Sequence, residues 1–153
     1  MNMQEDAKKY YLKTLNINHQ NVLANTNLGQ LYLLTDMLEE AKQCFLKSLQ
    51  FNPRDAETLS NLGQLYYRLN MLEQAKEYYL SALQIDPYLL GALNNLGVLY
   101  QDLSFLEGAL ECQLKALETN PSSISTLNNL GKIYQDMYKL EEVKEFFFEG
   151  FES

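Results

Sequence analysis

Apolar positions recur along this chain at helical spacing, and the spacing itself repeats. Within residues 22–55, Ala24, Leu28, Leu31 and Tyr32 mark one amphipathic helix, and Leu38, Ala41, Phe45, Leu46 and Leu49 mark a second. The same columns return 34 residues later. Gly29, Gly63, Gly97 and Gly131 are each preceded by Asn-Leu and followed three residues on by a tyrosine (Tyr32, Tyr66, Tyr100, Tyr134). Ala41, Ala75, Ala109 and then Val143 form a further column, and Pro53, Pro87 and Pro121 close three units at the same interval. The pattern predicts a single domain over 1–153: a half repeat at 1–21, full repeats at 22–55, 56–89 and 90–123, and a final hairpin at 124–153, about nine helices in all. In the half repeat, Ala7, Tyr11, Leu12 and Leu15 stand in the columns of Ala41, Phe45, Leu46 and Leu49.

Local signals place the ends of these helices. Asp36 with Glu39, Asn70 with Glu73 and Ser104 with Glu107 have the spacing of a capping box at the start of each second helix, while Tyr138 with Glu141 does not. The last helix is therefore expected to begin less sharply. Asn52, Asp86 and Asn120 each precede a proline, which pushes them out of helical geometry and ends the helix before them. Antiparallel pairing would set the four repeated glycines against Ala41, Ala75 and Ala109, a crossing too close for bulky side chains. Glycine inside a helix costs about 1 kcal/mol against alanine, so four of them imply compensation by tight packing.

These columns resemble the tetratricopeptide repeat: Leu-Gly-x-x-Tyr, then Ala, then an aromatic residue, then Pro, at period 34 over essentially the whole chain. The resemblance implies an all-α fold, a right-handed α-α superhelix of antiparallel helix hairpins, with the first helix of each hairpin lining a concave surface. Helical geometry then groups the residues of that surface into stripes: Leu23, Asn27, Gln30, Leu34; Glu57, Asn61, Gln64, Arg68; Gly91, Asn95, Val98, Asp102; and Ser125, Asn129, Lys132, Asp136.

One column, Asn27, Asn61, Asn95 and Asn129, is constant. Asparagine is a mediocre helix former, but its carboxamide can pair with both the C=O and the N–H of a peptide group. Packed helices lie about 8–10 Å apart and an extended chain advances about 3.3 Å per residue, so one rung per repeat would meet about every third residue of a bound peptide. The arrangement is similar to the asparagine ladders of O-linked N-acetylglucosamine transferases and kinesin light chains. That similarity implies a scaffold gripping an extended segment of another protein. The alternative is that each Asn bonds a neighbouring helix and stiffens the stack. Tyr67, Arg68, Gln101, Asp102, Gln135, Asp136 and Lys132 would add specificity, Arg68 by meeting a carboxylate. Some members of the family clamp a C-terminal carboxylate with Lys or Arg beside Asn. Here the flanking positions hold Thr26, Ser60, Glu57 and Gly91, so that clamp is not expected.

Composition narrows the remaining classes. The net charge is -8, with 12 Lys and Arg against 20 Asp and Glu, which disfavours nucleic acid and anionic lipid as partners. The chain holds no apolar run of membrane-spanning length and no signal-peptide pattern, and a cytoplasmic, intracellular location is expected. His19 is the lone histidine and stands where later units place proline, in a turn. Cys44 and Cys112 share a column two repeats apart, beyond the ~7 Å a disulfide can span. With no phosphate loop, metal cluster or paired nucleophile and base, neither enzymatic activity nor a cofactor is expected.

The ends of the chain carry a further expectation. Phe148 and Phe151 stand in the columns of Leu46 and Leu49, where internal repeats are expected to meet the next hairpin. The chain is thus expected to be a fragment of a longer solenoid, to pair end to end with another copy as a homo-oligomer, or to tolerate exposed aromatic surface. A fragment would leave open a role as the substrate-docking portion of a larger enzyme such as a glycosyltransferase.

Overall fold

The structure is a computed structural model that describes the backbone of residues 2–152 and the side chains of residues 2–145 and 148. Among the described residues all regular structure is helical: α1 (Met3–Ile17), α2 (Val22–Leu34), α3 (Leu38–Phe51), α4 (Ala56–Arg68), α5 (Leu72–Ile85), α6 (Leu90–Asp102), α7 (Leu106–Thr119) and α8 (Ile124–Glu152). The chain divides into two compact units, Met1–Ala92 and Leu93–Ser153.

In the first unit α2 pairs with α3, α4 pairs with α5, and α1 and α3 pack against the helix that follows each. Leu33, Ala41, Phe45, Leu62 and Leu65 form one core cluster, flanked by Tyr32, Leu38, Leu49, Tyr66 and Tyr78. Leu59, Ala82 and Ala92 form another. In the second unit Leu93, Leu96, Leu99, Ala109, Ala116 and Ile133 are buried, and α7 packs against α8.

The glycine column serves close packing, against a different partner from the one expected. A Cβ on Gly29 would lie 2.5 Å from the Phe45 ring, one on Gly63 2.6 Å from the Tyr79 ring, and one on Gly97 2.5 Å from the Gln113 amide. The slot is thus filled by the residue four beyond Ala41, Ala75 and Ala109, one helical turn further along. The alanines themselves are completely buried.

The hairpin turns also differ from expectation. The second helices are capped at Met37, Met71 and Phe105, with no side-chain capping bond. Asp36, Asn70 and Ser104 stand one residue earlier, in the left-handed region with φ of 63°, 57° and 59°. Each closes a Schellman motif on the preceding helix. Met37 N–H donates to Tyr32 C=O, Met71 to Tyr66 and Phe105 to Tyr100, at 2.8–2.9 Å, and Asn70 N–H reaches Tyr67 C=O at 2.9 Å. The hydrophobic contact that accompanies such a motif is visible as Tyr100 edge-on to Phe105, centroids 5.1 Å apart. Asp and Asn tolerate left-handed geometry through local polar contacts, which explains their place here better than capping does.

The fourth turn does not form. The corresponding position is Tyr138, and a bulky side chain strongly disfavours positive φ. The chain stays helical through it, so the two helices expected over 124–153 are one, the 29-residue α8. At about 1.5 Å per residue α8 is about 43 Å long. Glu142, one turn on, hydrogen-bonds Tyr138 and raises its phenol pKa, a contact that a continuous helix permits.

The turns between repeats follow the sequence closely. Asn52, Asp86 and Asn120 leave the helix at similar non-helical angles, with φ of -135°, -126° and -140°, and their side-chain oxygens accept from the N–H two residues on, at 3.1–3.3 Å. Asn18 does the same before His19, so the Asx side chain suffices where no proline follows. His19 lies exposed in that turn, edge-on to Phe51.

Candidate peptide-binding surface

Asn27 and Gln30 stand one turn apart on α2, and packing of α2 against α4 brings Gln30 to Asn61. Gln30 Nε2 donates to Asn61 Oδ1 at 3.3 Å. Asn61 is 8% exposed and its Nδ2 is buried without a partner. Half of this carboxamide therefore joins two helices, and its other half is an unused donor, which carries a desolvation cost of about 1–3 kcal/mol. Asn27 is half-buried and makes no hydrogen bond among the described residues. Leu23 and Leu34, at the ends of the same stripe, are 69% and 75% exposed, so this side of α2 faces open space. On α4, Glu57 and Gln64 are exposed and Tyr67 is half-buried.

Arg68 is engaged within the protein. One nitrogen pairs with Asp36 Oδ1 at 2.7 Å and the other donates to Leu33 C=O. It thereby holds the C-terminus of α2 and the left-handed residue beyond it, an arrangement the helix dipole favours. As folded, it is not the free cation that the sequence suggested for a partner's carboxylate.

In the second unit Asn95 and Asn129 are half-buried, again without a hydrogen bond among the described residues. Gln101 donates to Asp136 Oδ2 at 2.6 Å, so these two expected contact residues satisfy each other. They border a groove of about 320 Å³ with Ser104, Leu106, Lys139, Leu140 and Val143. Lys132, Gln135 and Asp102 are exposed. Of the expected end contacts, Phe148 is 74% exposed and the Phe151 side chain lies outside the described residues. Leu46, Leu80 and Leu114 are themselves 40–44% exposed, so the Phe148 column faces largely outward in every repeat.

Two buried polar clusters were not anticipated. In the first unit Thr26 Oγ1 lies 2.8 Å from Ser48 Oγ and 2.7 Å from Thr58 Oγ1, which in turn donates to Asp55 Oδ2 at 2.5 Å. In the second, Thr126 Oγ1 donates to Asn94 Oδ1 at 3.0 Å, and Gln113 Nε2 to Asn94 C=O at 3.1 Å. Gln113 Oε1 is buried without a partner. The signal was present in the columns: Gln113 stands where earlier repeats hold Phe45 and Tyr79.

The thiols are not activated. Cys44 and Cys112 are free, and burial pushes each up to about 11, so both are protonated at neutral pH.

Three family models described as tetratricopeptide repeat match residues 23–55, 56–89 and 89–120. No curated protein matches the sequence. Among solved structures, a crystal structure of MamA superposes with a TM-score of 0.74 at 21% identity, covering 97% of this chain and 87% of MamA. The first tetratricopeptide domain of Spaghetti (RPAP3), bound to the HSP90 peptide SRMEEVD, superposes with a TM-score of 0.72 at 24% identity, covering 78% of this chain and 94% of that one.

Proposed function

Since the chain belongs to the tetratricopeptide-repeat family, we propose that it is a non-catalytic binding module that holds an extended segment of another protein against the first helices of its hairpins. The observation that carries this reading is the state of Asn27, Asn95 and Asn129. They occupy one column of the repeat, are half-buried, and have carboxamides with no hydrogen bond among the described residues. A peptide backbone offers such a group both an acceptor and a donor. The rung at Asn61 is weaker, because Gln30 already holds its oxygen.

Charge describes the partner further. The peptide in the Spaghetti complex is SRMEEVD, rich in carboxylates. This chain carries -8, its flanking positions are Thr26, Ser60, Glu57 and Gly91, and Arg68 is tied to Asp36. A basic or neutral segment is therefore favoured over an acidic one. A display library of short unstructured peptides is the probe. Selected sequences should be basic or neutral, and Asn27→Ala/Asn95→Ala/Asn129→Ala should weaken their binding about tenfold or more, a loss of about 1.4 kcal/mol, with no fall in thermal stability. Equal affinity for the triple variant would rule the reading out.

A further inference from the structure

The first half of α8 has the register of a first helix, with its hairpin side uncovered. Its residues 126–134 read TLNNLGKIY and residues 58–66 of α4 read TLSNLGQLY, in agreement at six of nine positions. In the α4–α5 hairpin a Cβ on Gly63 would lie 2.6 Å from the Tyr79 ring. Tyr66 stacks on Tyr78 there, with centroids 5.3 Å apart and planes 8° from parallel. The matching positions in α8 are open. Nothing lies within 4 Å of a Cβ on Gly131. Leu127 is 48% exposed where Leu59 is 9%, and Tyr134 is 53% exposed where Tyr66 is half-buried. The second half of α8 continues the same unbroken helix and so cannot fold back over the first.

Helix α1 is the converse, a second helix whose hairpin side is uncovered. Residues 5–17, EDAKKYYLKTLNI, agree with residues 73–85 of α5, EQAKEYYLSALQI, at eight of thirteen positions. The Tyr-Tyr pair is common to these two, whereas α3 has Cys44-Phe45 and α7 has Cys112-Gln113. α1 packs against α2, yet none of its residues is buried. Tyr11 is half-buried, whereas Tyr79 is 1% exposed, and Tyr10 is 62% exposed where Tyr78 is half-buried.

We propose that α1 of one copy of this chain docks antiparallel on residues 124–137 of α8 of another, rebuilding the α4–α5 hairpin between two chains. In the register of that hairpin, Tyr11 enters the slot at Gly131 and Tyr10 stacks on Tyr134, as Tyr79 and Tyr78 do together in α5. The Lys13 ammonium, now 5.6 Å from the Tyr10 ring centroid, belongs to an exposed side chain and swings aside. Charge favours the pairing. Residues 1–17 carry three Lys against one Glu and one Asp, and residues 124–153 carry six Asp and Glu against three Lys. The contact is heterologous, one α1 to one α8, so copies add head to tail. It does not rest on peptide binding.

Sedimentation of the 153-residue chain across the micromolar range tests this, with assemblies expected to grow in mass as concentration rises. Gly131→Leu fills the slot and leaves α1 intact, whereas Tyr10→Glu removes the stacking ring and leaves α8 intact. Both sites are open in the single chain, so helix content should not fall in either variant. Each variant alone should associate at least tenfold more weakly than wild type. Mixed in equal amounts, the two should form a one-to-one pair and grow no further, because each supplies the half that the other has lost. A chain monomeric throughout the range, association undiminished in either variant, or a mixture that stays monomeric would each overturn the proposal.

Discussion

At the residue scale, single side chains decide what the repeat pattern leaves open. Gln113 fills a slot that takes an aromatic ring in two other repeats, and it leaves one buried oxygen unpaired. Replacing it by phenylalanine removes that orphan and adds apolar burial. Gln113→Phe should raise unfolding free energy by about 1–2 kcal/mol in urea titration, with loss of stability as the contrary result. Arg68 and Asn61 show the limit of stripe arguments. Helical spacing placed both on the expected side of α4, but spacing says nothing about a neighbour's reach. Asp36 and the Leu33 carbonyl take the guanidinium, and Gln30 takes the amide oxygen. These partners lie some 30 residues away in sequence, so they become visible only once the helices are packed.

At the element scale, helix boundaries depend on which residue can adopt positive φ. Asp36, Asn70 and Ser104 were legible as turn residues, and their spacing to a glutamate suggested the wrong mechanism, a cap one residue too early. The same column contained the correct account of the fourth turn, since Tyr138 departs from it. The consequence, a single 29-residue helix, was legible only as a start less sharp than the others. Asn70 tests the turn chemistry directly. Asn70→Val puts a β-branched side chain at φ 57° and should destabilise by about 1–2 kcal/mol, whereas Asn70→Gly should fall within about 1 kcal/mol of wild type. Equal denaturant midpoints for the two variants would contradict the assignment.

At the scale of the whole molecule, the fold was readable because period, small-residue columns and prolines all point the same way. Buried polar groups were less readable, since Thr26, Ser48 and Thr58 look like ordinary helix residues until three elements converge on them. Global stability should carry the signature of the two half-buried thiols. An unfolded thiol ionises near 9.0, whereas Cys44 and Cys112 are held up to about 11 by burial. Above pH 9 the unfolded chain sheds protons that the native chain keeps, so stability is full below that pH and falls between about pH 9 and 11. Cys44→Ala/Cys112→Ala should flatten this decline in urea titrations across that range, and an unaltered slope would contradict it. The central claim, that the repeated carboxamides hold a peptide backbone, is tested most directly by side-chain amide NMR of the chain labelled at asparagine and titrated with a library-selected peptide. The Nδ2 resonances of Asn27, Asn95 and Asn129 should move in step with saturation. Saturable binding that leaves all three unmoved would contradict the account.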